Sequence, residues 1–156
     1  MRVRDLLGSQ NVLVHAAVLS AADALGLLVE LQEASGVITN GTAYYNAVFE
    51  RETAGGSTAI GEGMALPHAA NAGAAACGVA ALTLRPGVEW GAPDAVPVDL
   101  VFMVTTPPDR DSERLQILAR LVNLLSEPGL PEALRRARTP EEFVERLSGA
   151  EAERFA

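Results

Sequence analysis

Short, continuous apolar runs alternate along this chain with longer segments whose apolar residues recur at helical spacing. Three of the runs have the length of a strand and cover residues 12–19, 78–84 and 98–104. The second and third are apolar at nearly every position, which is typical of strands covered on both faces. The pattern therefore predicts buried strands at the centre of the domain.

Two helices are predicted between the first and second runs. Ser20 is a typical N-cap and Gly36 is a typical left-handed stop, so the first helix lies between them. Thr42 predicts the cap of a second helix, which carries Arg51 near its end.

Further helices are predicted after the third run. An apolar stripe indicates a long helix that Asp111 or Ser112 caps, and its members are Leu115, Leu118, Ala119, Val122 and Leu125. A short helix is expected over residues 131–137. Thr139, with the proline after it, is typical of the start of a last helix, which extends to Leu147. Helices interleaved with buried strands predict an α/β fold, with a central sheet between helical layers.

The composition limits the classes of partner and the compartment. The 156 residues carry a formal net charge of −8 without a block of like charge, which argues against a nucleic-acid surface. No apolar run approaches the roughly 20 residues that cross a bilayer, so direct membrane insertion is not expected. The one cysteine, Cys77, cannot form an internal disulfide, which fits a cytoplasmic protein. We predict one domain over residues 1–156, with its core at about residues 12–147.

A glycine-rich segment over residues 51–69 ends in a histidine, His68, that follows a proline. Pro67 fixes its own φ and restricts the residue before it, so this loop can hold an imidazole in a constant direction. A neutral imidazole is a nucleophile near neutral pH and can form a covalent intermediate with a phosphoryl group.

Groups that neutralise phosphoryl oxygens are available in the same segment. The candidates are the Arg51 guanidinium, the Thr58 hydroxyl and the backbone N–H groups of the turn at Gly61 and Gly63. The local sequence alone favours a histidine that only hydrogen-bonds a carbonyl oxygen of its loop. Both interpretations of His68 stay open on these residues.

Three stretches of the chain together carry a resemblance to a known family. They are Arg51-Glu52, Ser57-Thr58-x-Ile60-Gly61-x-Gly63-Met64-Ala65-Leu66-Pro67-His68 and Pro97-Val98-Asp99-Leu100-Val101-Phe102. They resemble the enzyme IIA domain of the fructose/mannitol class in the bacterial phosphoenolpyruvate-dependent sugar phosphotransferase system, including its nitrogen-regulatory branch. The resemblance extends from about Ser20 to Leu147.

This resemblance implies a fold and a phosphoryl relay. The fold is a three-layer α/β/α sandwich with a mixed central sheet. His68 would accept a phosphoryl group from an HPr-type phosphocarrier protein and pass it to an enzyme IIB, while Arg51 stabilises the phosphate. The partner is expected to dock over an apolar surface around Met64 and Leu66. No cofactor and no metal are needed for such a transfer.

One position departs from the family pattern. The family commonly has a second histidine where this chain has Arg114. Arginine can donate hydrogen bonds to a phosphate and keeps its charge at every physiological pH. A solvated arginine in the first turn of a helix is the other interpretation. The departure opens an alternative function, a nitrogen-regulatory-type binding module that controls partner proteins with altered or lost phosphorylation.

The remaining residues with reactive side chains have simpler interpretations. His15 lies in a strand-like run and is expected to be a core or edge histidine. Cys77 is expected to be a small buried thiol. Trp90 and Phe102 are expected to pack in the core or at the rim of the site. The two histidines and the cysteine lack the spacing of a zinc site, which disfavours a metal-dependent hydrolase.

Overall fold

The computed structural model describes residues 2–155, which form a mixed β-sheet with helices on both faces. Two short 3₁₀ helices, Val3–Asp5 and Ser9–Asn11, precede the first strand. The six strands are β1 (Val12–Ala16), β2 (Ala59–Gly61), β3 (Met64–Ala65), β4 (His68–Ala70), β5 (Gly78–Val88) and β6 (Val98–Thr106). The five α-helices are α1 (Ala21–Ala34), α2 (Gly41–Ala54), α3 (Asp111–Leu125), α4 (Leu130–Arg135) and α5 (Pro140–Arg154).

The sheet has the order β1-β5-β6-β3-β2, and β4 also pairs with β6. β5 and β6 run antiparallel, whereas β1 pairs with β5, and β3 and β4 pair with β6, in parallel. This mixture of directions agrees with the mixed sheet that the resemblance implied.

Each face of the sheet has its own apolar core. Phe102 contacts α5 through Phe143, in a cluster to which α3 and α4 also contribute. On the other face Met103 belongs to a cluster that includes side chains of α1 and α2. Because side chains alternate along a strand, neighbouring residues of β6 fill opposite cores. The α/β/α sandwich and the packing of Phe102 are thereby confirmed.

The helix caps are partly those expected from the sequence. The side chains of Ser20 and Thr139 accept hydrogen bonds from backbone N–H groups of their own first turns. The prediction of Thr42 as a cap is wrong, because Asn40 accepts the hydrogen bond from the Ala43 N–H at 3.1 Å. Asp111 and Ser112 lie inside α3, which begins without a side-chain cap.

Several strand and helix ends differ from the predictions. β1 ends at Ala16, and β5 continues through its Arg85-Pro86-Gly87 segment to Val88. Because Val88 pairs with Val98 after an irregular stretch, the proline and glycine of this segment mark a break in register rather than the end of the strand. α5 extends past Leu147 to Arg154.

Only part of the apolar stripe predicted for α3 is buried, namely Leu125 and, in part, Leu118. The residues that α3 buries are Ile117, Leu121, Leu124 and Leu125. Leu115 is 62% exposed and Val122 is 47% exposed, although both belong to the predicted stripe. α3 is therefore apolar on two faces, and sequence periodicity does not reveal which face is buried.

Candidate functional site

His68 begins β4, a short edge strand of the sheet. β3 and β4 pair with successive parts of β6, and Leu66 and Pro67 lie between them. The Pro67 carbonyl oxygen accepts a hydrogen bond from the Val104 N–H at 3.0 Å, so the two residues between β3 and β4 are also bound to β6. A proline is acceptable at this position because an edge strand can lack one N–H donor. The backbone on both sides of His68 is thus fixed.

The imidazole of His68 has a defined hydrogen bond. Its Nδ1 lies 2.8 Å from the carbonyl oxygen of Leu66, which can only accept. In the neutral ring the proton is therefore on Nδ1, and Nε2 keeps its lone pair. The carbonyl contact that the sequence allowed is present, and it leaves the second nitrogen available as a nucleophile.

The pKa of His68 is lowered from its ordinary value. Partial burial of the ring is the largest cause, and the positive charges of Arg51 and Arg114 act in the same direction. The hydrogen bond to Leu66 and the carboxylate of Glu52 oppose the shift. The uncharged ring is therefore the favoured form near neutral pH.

His68 opens onto a cavity of about 360 Å³ between α2 and α3. Its lining residues are Ala47, Arg51, His68, Ala69, Ala70, Asp111 and Arg114. The structure thus brings together the histidine and both arginines that the sequence singled out. Two guanidinium groups beside one imidazole suit the binding of a small anion.

The two arginines reach the cavity from opposite sides. Arg51 lies in the last turn of α2 and donates a hydrogen bond to the Gly56 carbonyl oxygen at 2.8 Å. Arg114 lies in the first turn of α3 and donates to the Asp111 carboxylate at 2.8 Å. The Arg114 side chain is 21% exposed, so it is partly buried at the cavity.

The position of α2 relative to His68 depends on a buried tyrosine. The hydroxyl of Tyr44 donates to the carbonyl oxygen of Ala69 at 3.0 Å and also lies 3.3 Å from that of Val104. Burial raises the pKa of Tyr44 to about 12, so the hydroxyl stays protonated. Tyr44 and Arg51 are seven residues apart and lie on one face of the helix.

The other predicted phosphate ligands lie away from the cavity. The buried Thr58 hydroxyl donates to Glu52, and so does the Thr58 N–H, each at 2.5 Å. Glu52 thereby joins the end of α2 to the residue before β2, which is a structural role.

The turn at Gly61 and Gly63 lies at a different part of the sheet. Both glycines have positive φ in the connection from β2 to β3, and Glu62 between them is bound to Asp94 and Arg135. Met64 pairs with Leu100, four positions along β6 from the partner of His68, a separation of about 13 Å. The structure does not bring these glycines to His68, because the parallel strands carry the chain away from the turn.

Asp111 is a cavity residue whose role the sequence analysis missed, since it was considered only as a helix cap. Its position three residues before Arg114 was the available signal, because residues at that spacing meet on a helix. A carboxylate in this cavity would repel a bound anion, whereas a helix cap only stabilises the start of its helix.

The other reactive residues lie outside the cavity. His15 Nε2 is 3.0 Å from the Arg135 carbonyl oxygen, in a half-buried position at the end of β1. Cys77 donates to Glu113 at 3.4 Å and is half-buried, and its burial raises the pKa of the thiol. Trp90 is buried, as expected for a packing residue. Residues 2–155 contain no cluster of three histidine, cysteine, aspartate or glutamate side chains suited to a metal.

These features define a class of protein, an α/β/α domain with one histidine beside two arginines at a surface cavity. The model of the family described as "Phosphoenolpyruvate-dependent sugar phosphotransferase system, EIIA 2" matches residues 5–150, so the chain belongs to this family. Among the helices of residues 2–155, none is long and apolar enough to cross a membrane.

Relatives of both branches of the family are similar to this chain. The fructose-specific EIIABC component of Bacillus subtilis is 26% identical over 145 residues, which are 93% of this chain and 23% of that protein. The chain thus spans less than a quarter of the length of that relative. A nitrogen regulatory protein of Bradyrhizobium diazoefficiens is 31% identical over 140 residues, 88% of this chain and 89% of that protein.

A solved structure supports the same assignment. The crystal structure of the nitrogen regulatory protein IIA-Ntr from Neisseria meningitidis superposes with a TM-score of 0.84 at 27% identity. The match covers 93% of this chain and 98% of that one. This nitrogen regulatory protein therefore shares the fold of the chain.

Proposed function

We propose that this protein is a phosphocarrier that accepts a phosphoryl group on His68 from an HPr-type protein and passes it to an enzyme IIB. The observation that carries the proposal is the hydrogen bond from Nδ1 to Leu66, which leaves the Nε2 lone pair free beside two guanidinium groups. The membership of the chain in the enzyme IIA family supports it. The proposed donor system places the protein in the cytoplasm.

The transfer follows from the state of the imidazole. The Nε2 lone pair attacks phosphorus, the bond from phosphorus to the donor nitrogen breaks, and that nitrogen keeps the electron pair. The ring then carries positive charge, which the Leu66 carbonyl oxygen stabilises through Nδ1–H. Arg51 and Arg114 neutralise the phosphoryl oxygens, so positioning and electrostatics supply the catalysis. The same steps in reverse release the group to the next acceptor.

The docking surface differs from the one expected from the sequence. Met64 and Leu66 are buried in the core, so they cannot contact a partner. The exposed apolar side chain nearest to the cavity in sequence is Leu115 of α3, which directly follows Arg114, and the next is Phe49 of α2, two residues before Arg51. We place the partner on this outer face of α3, because it presents apolar area next to the phosphate site.

A regulatory module is the second candidate function. Two observations favour it, namely Arg114 in place of the family's second histidine and the similarity to nitrogen regulatory proteins. In this role a controlled protein binds the surface around the same cavity, and the phosphoryl group is not passed on toward a sugar. If the module is phosphorylated, both candidates need His68 and differ in the acceptor; if phosphorylation is lost, they differ in the donor step as well.

Intact-mass measurement with phosphoenolpyruvate, enzyme I and HPr tests the donor step. We expect an acid-labile gain of about 80 Da, one phosphoryl group, and its loss in His68→Ala. His15→Ala is the matched control, because it removes the other histidine and leaves the cavity intact. Absence of the gain in the wild-type protein contradicts the phosphocarrier role. Adding an enzyme IIB then separates the two candidates, since only a carrier loses the group to it.

A further inference from the structure

The cavity at His68 contains an acidic side chain where an anion is expected to bind. Among the described residues that line it, Asp111 alone carries a carboxylate, whereas Arg51 and Arg114 are cations. A phosphoryl group on His68 would bring nearly two more negative charges into the same space. The carboxylate therefore opposes the group that the rest of the cavity attracts.

Asp111 is also bound to one of the two cations. Arg114 donates from Nη1 to the Asp111 carboxylate at 2.8 Å, and the two residues are three positions apart in the first turn of α3. The Arg114 side chain is 21% exposed, whereas that of Asp111 is 75% exposed. Because solvent can replace the arginine as its partner, the exposed aspartate can move away at little cost. Arg114 is then available to the phosphoryl oxygens.

We propose that Asp111 is a competing anion that weakens the binding of the phosphoryl group to this cavity. This inference rests on the proposed function and adds a regulation of the same site. The carboxylate holds Arg114 when His68 is free and repels the phosphoryl oxygens when His68 is modified. Both effects raise the free energy of the phosphorylated state relative to the free state. The phosphoryl group consequently leaves for an acceptor more readily than two unopposed arginines would allow.

A structural role for Asp111 predicts a different result. An acidic residue in the first turn of a helix is favoured by the helix dipole, so its loss lowers stability. That loss alone does not change the equilibrium between free and phosphorylated His68, provided that the domain stays folded. The exchange equilibrium therefore distinguishes a competing anion from a helix-stabilising one.

The experiment measures the equilibrium of phosphoryl exchange between HPr and this protein by intact mass. We expect Asp111→Asn to shift the exchange toward phosphorylated His68 by about 3- to 10-fold at low salt, and Asp111→Glu to restore most of the wild-type value. Because the effect is electrostatic and exposed, it decreases at about 1 M salt. Inorganic phosphate, titrated against the His68 NMR signals without a partner, should bind more tightly to Asp111→Asn.

The matched control is Asp109→Asn. Asp109 is an exposed acid two residues earlier, outside the cavity lining, and asparagine tolerates its left-handed φ of 70°. Equal exchange constants for Asp111→Asn and the wild type would overturn the inference, and so would an equal shift in Asp109→Asn. If the wild type took no phosphoryl group from HPr, the proposed function would fail. The titration with inorganic phosphate would still test the inference, because equal affinities of the wild type and Asp111→Asn would overturn it.

Discussion

The hydroxyl of Tyr44 lies 3.0 Å from the carbonyl oxygen of Ala69, the residue that follows His68. This contact joins α2, which carries Arg51, to the edge strand that carries the histidine. The distance between the arginine and the nucleophile thus depends on a buried hydrogen bond that touches neither of them.

Tyr44→Phe should therefore lower both stability and transfer. Removing the hydroxyl while keeping the ring costs about 1 kcal/mol of unfolding free energy, measured by urea denaturation. We expect the rate of phosphorylation by HPr to fall several-fold at saturating donor. The matched control is Tyr45→Phe, whose hydroxyl donates to Ala22 at 3.3 Å away from the cavity. An equal loss of rate in both variants would mean that Tyr44 does not position the site.

The lowered pKa of His68 predicts a pH dependence of stability. The unfolded chain binds a proton on this histidine below its ordinary pKa of about 6.5, whereas the folded protein does so only at lower pH. Stability contributed by the neutral ring is thus present above that value and decreases as the pH falls toward the folded pKa. Denaturant unfolding from pH 7.5 to 5 should show this loss in the wild type and a smaller one in His68→Gln. If the wild type and His68→Gln lost the same stability between pH 7.5 and 5, the lowered pKa of His68 would be contradicted.

Glu151 anchors the N-terminal segment to α5 and α3. Its side chain is 2% exposed, accepts hydrogen bonds from the Val3 and Arg4 N–H groups, and forms an ion pair with Arg120 at 2.7 Å. Glu151→Ala leaves these donors without a partner, so we expect a loss of about 2 to 3 kcal/mol. The exposed Glu153→Ala is the control and should stay within about 0.5 kcal/mol of the wild type. A stability of Glu151→Ala equal to that of Glu153→Ala would show that the anchor contributes nothing.

The cap of α2 offers a comparison within three residues of the chain. Asn40 accepts from the Ala43 N–H, whereas Thr42 is exposed inside the first turn. Asn40→Ala should cost about 1 kcal/mol, and Thr42→Ala should change stability by less than about 0.5 kcal/mol. Thermal unfolding of the two variants measures the difference, and the reverse order would restore Thr42 as the cap.

Residues whose local chemistry dictates their role could be predicted from the sequence. Ser20 and Thr139 are caps because their side chains satisfy N–H groups a few positions away. His68 and Arg51 were identified from a short segment and lie at one cavity. Asp111 was recognised only as a cap, since its position at the cavity of His68 depends on how α3 packs against the sheet.

Residues whose role depends on tertiary structure could not be placed in the same way. Gly61 and Gly63 are close to His68 in sequence, yet the strand after them separates them from it. Leu115 and Ile117 are both apolar members of α3, and only the packing of the helix shows that Ile117 is the buried one. Residues that are close in sequence need not be close in space, and a functional site requires closeness in space.

Nitrogen NMR of the phosphorylated protein, with ¹⁵N-labelled histidine, tests the central claim most directly. The hydrogen bond from Nδ1 to Leu66 predicts that phosphorus is bonded to Nε2 of His68 and that the proton stays on Nδ1. Phosphorus coupling on Nε2, with Nδ1 still protonated, is the expected result. Phosphorus on Nδ1, or on His15 in place of His68, would contradict the account.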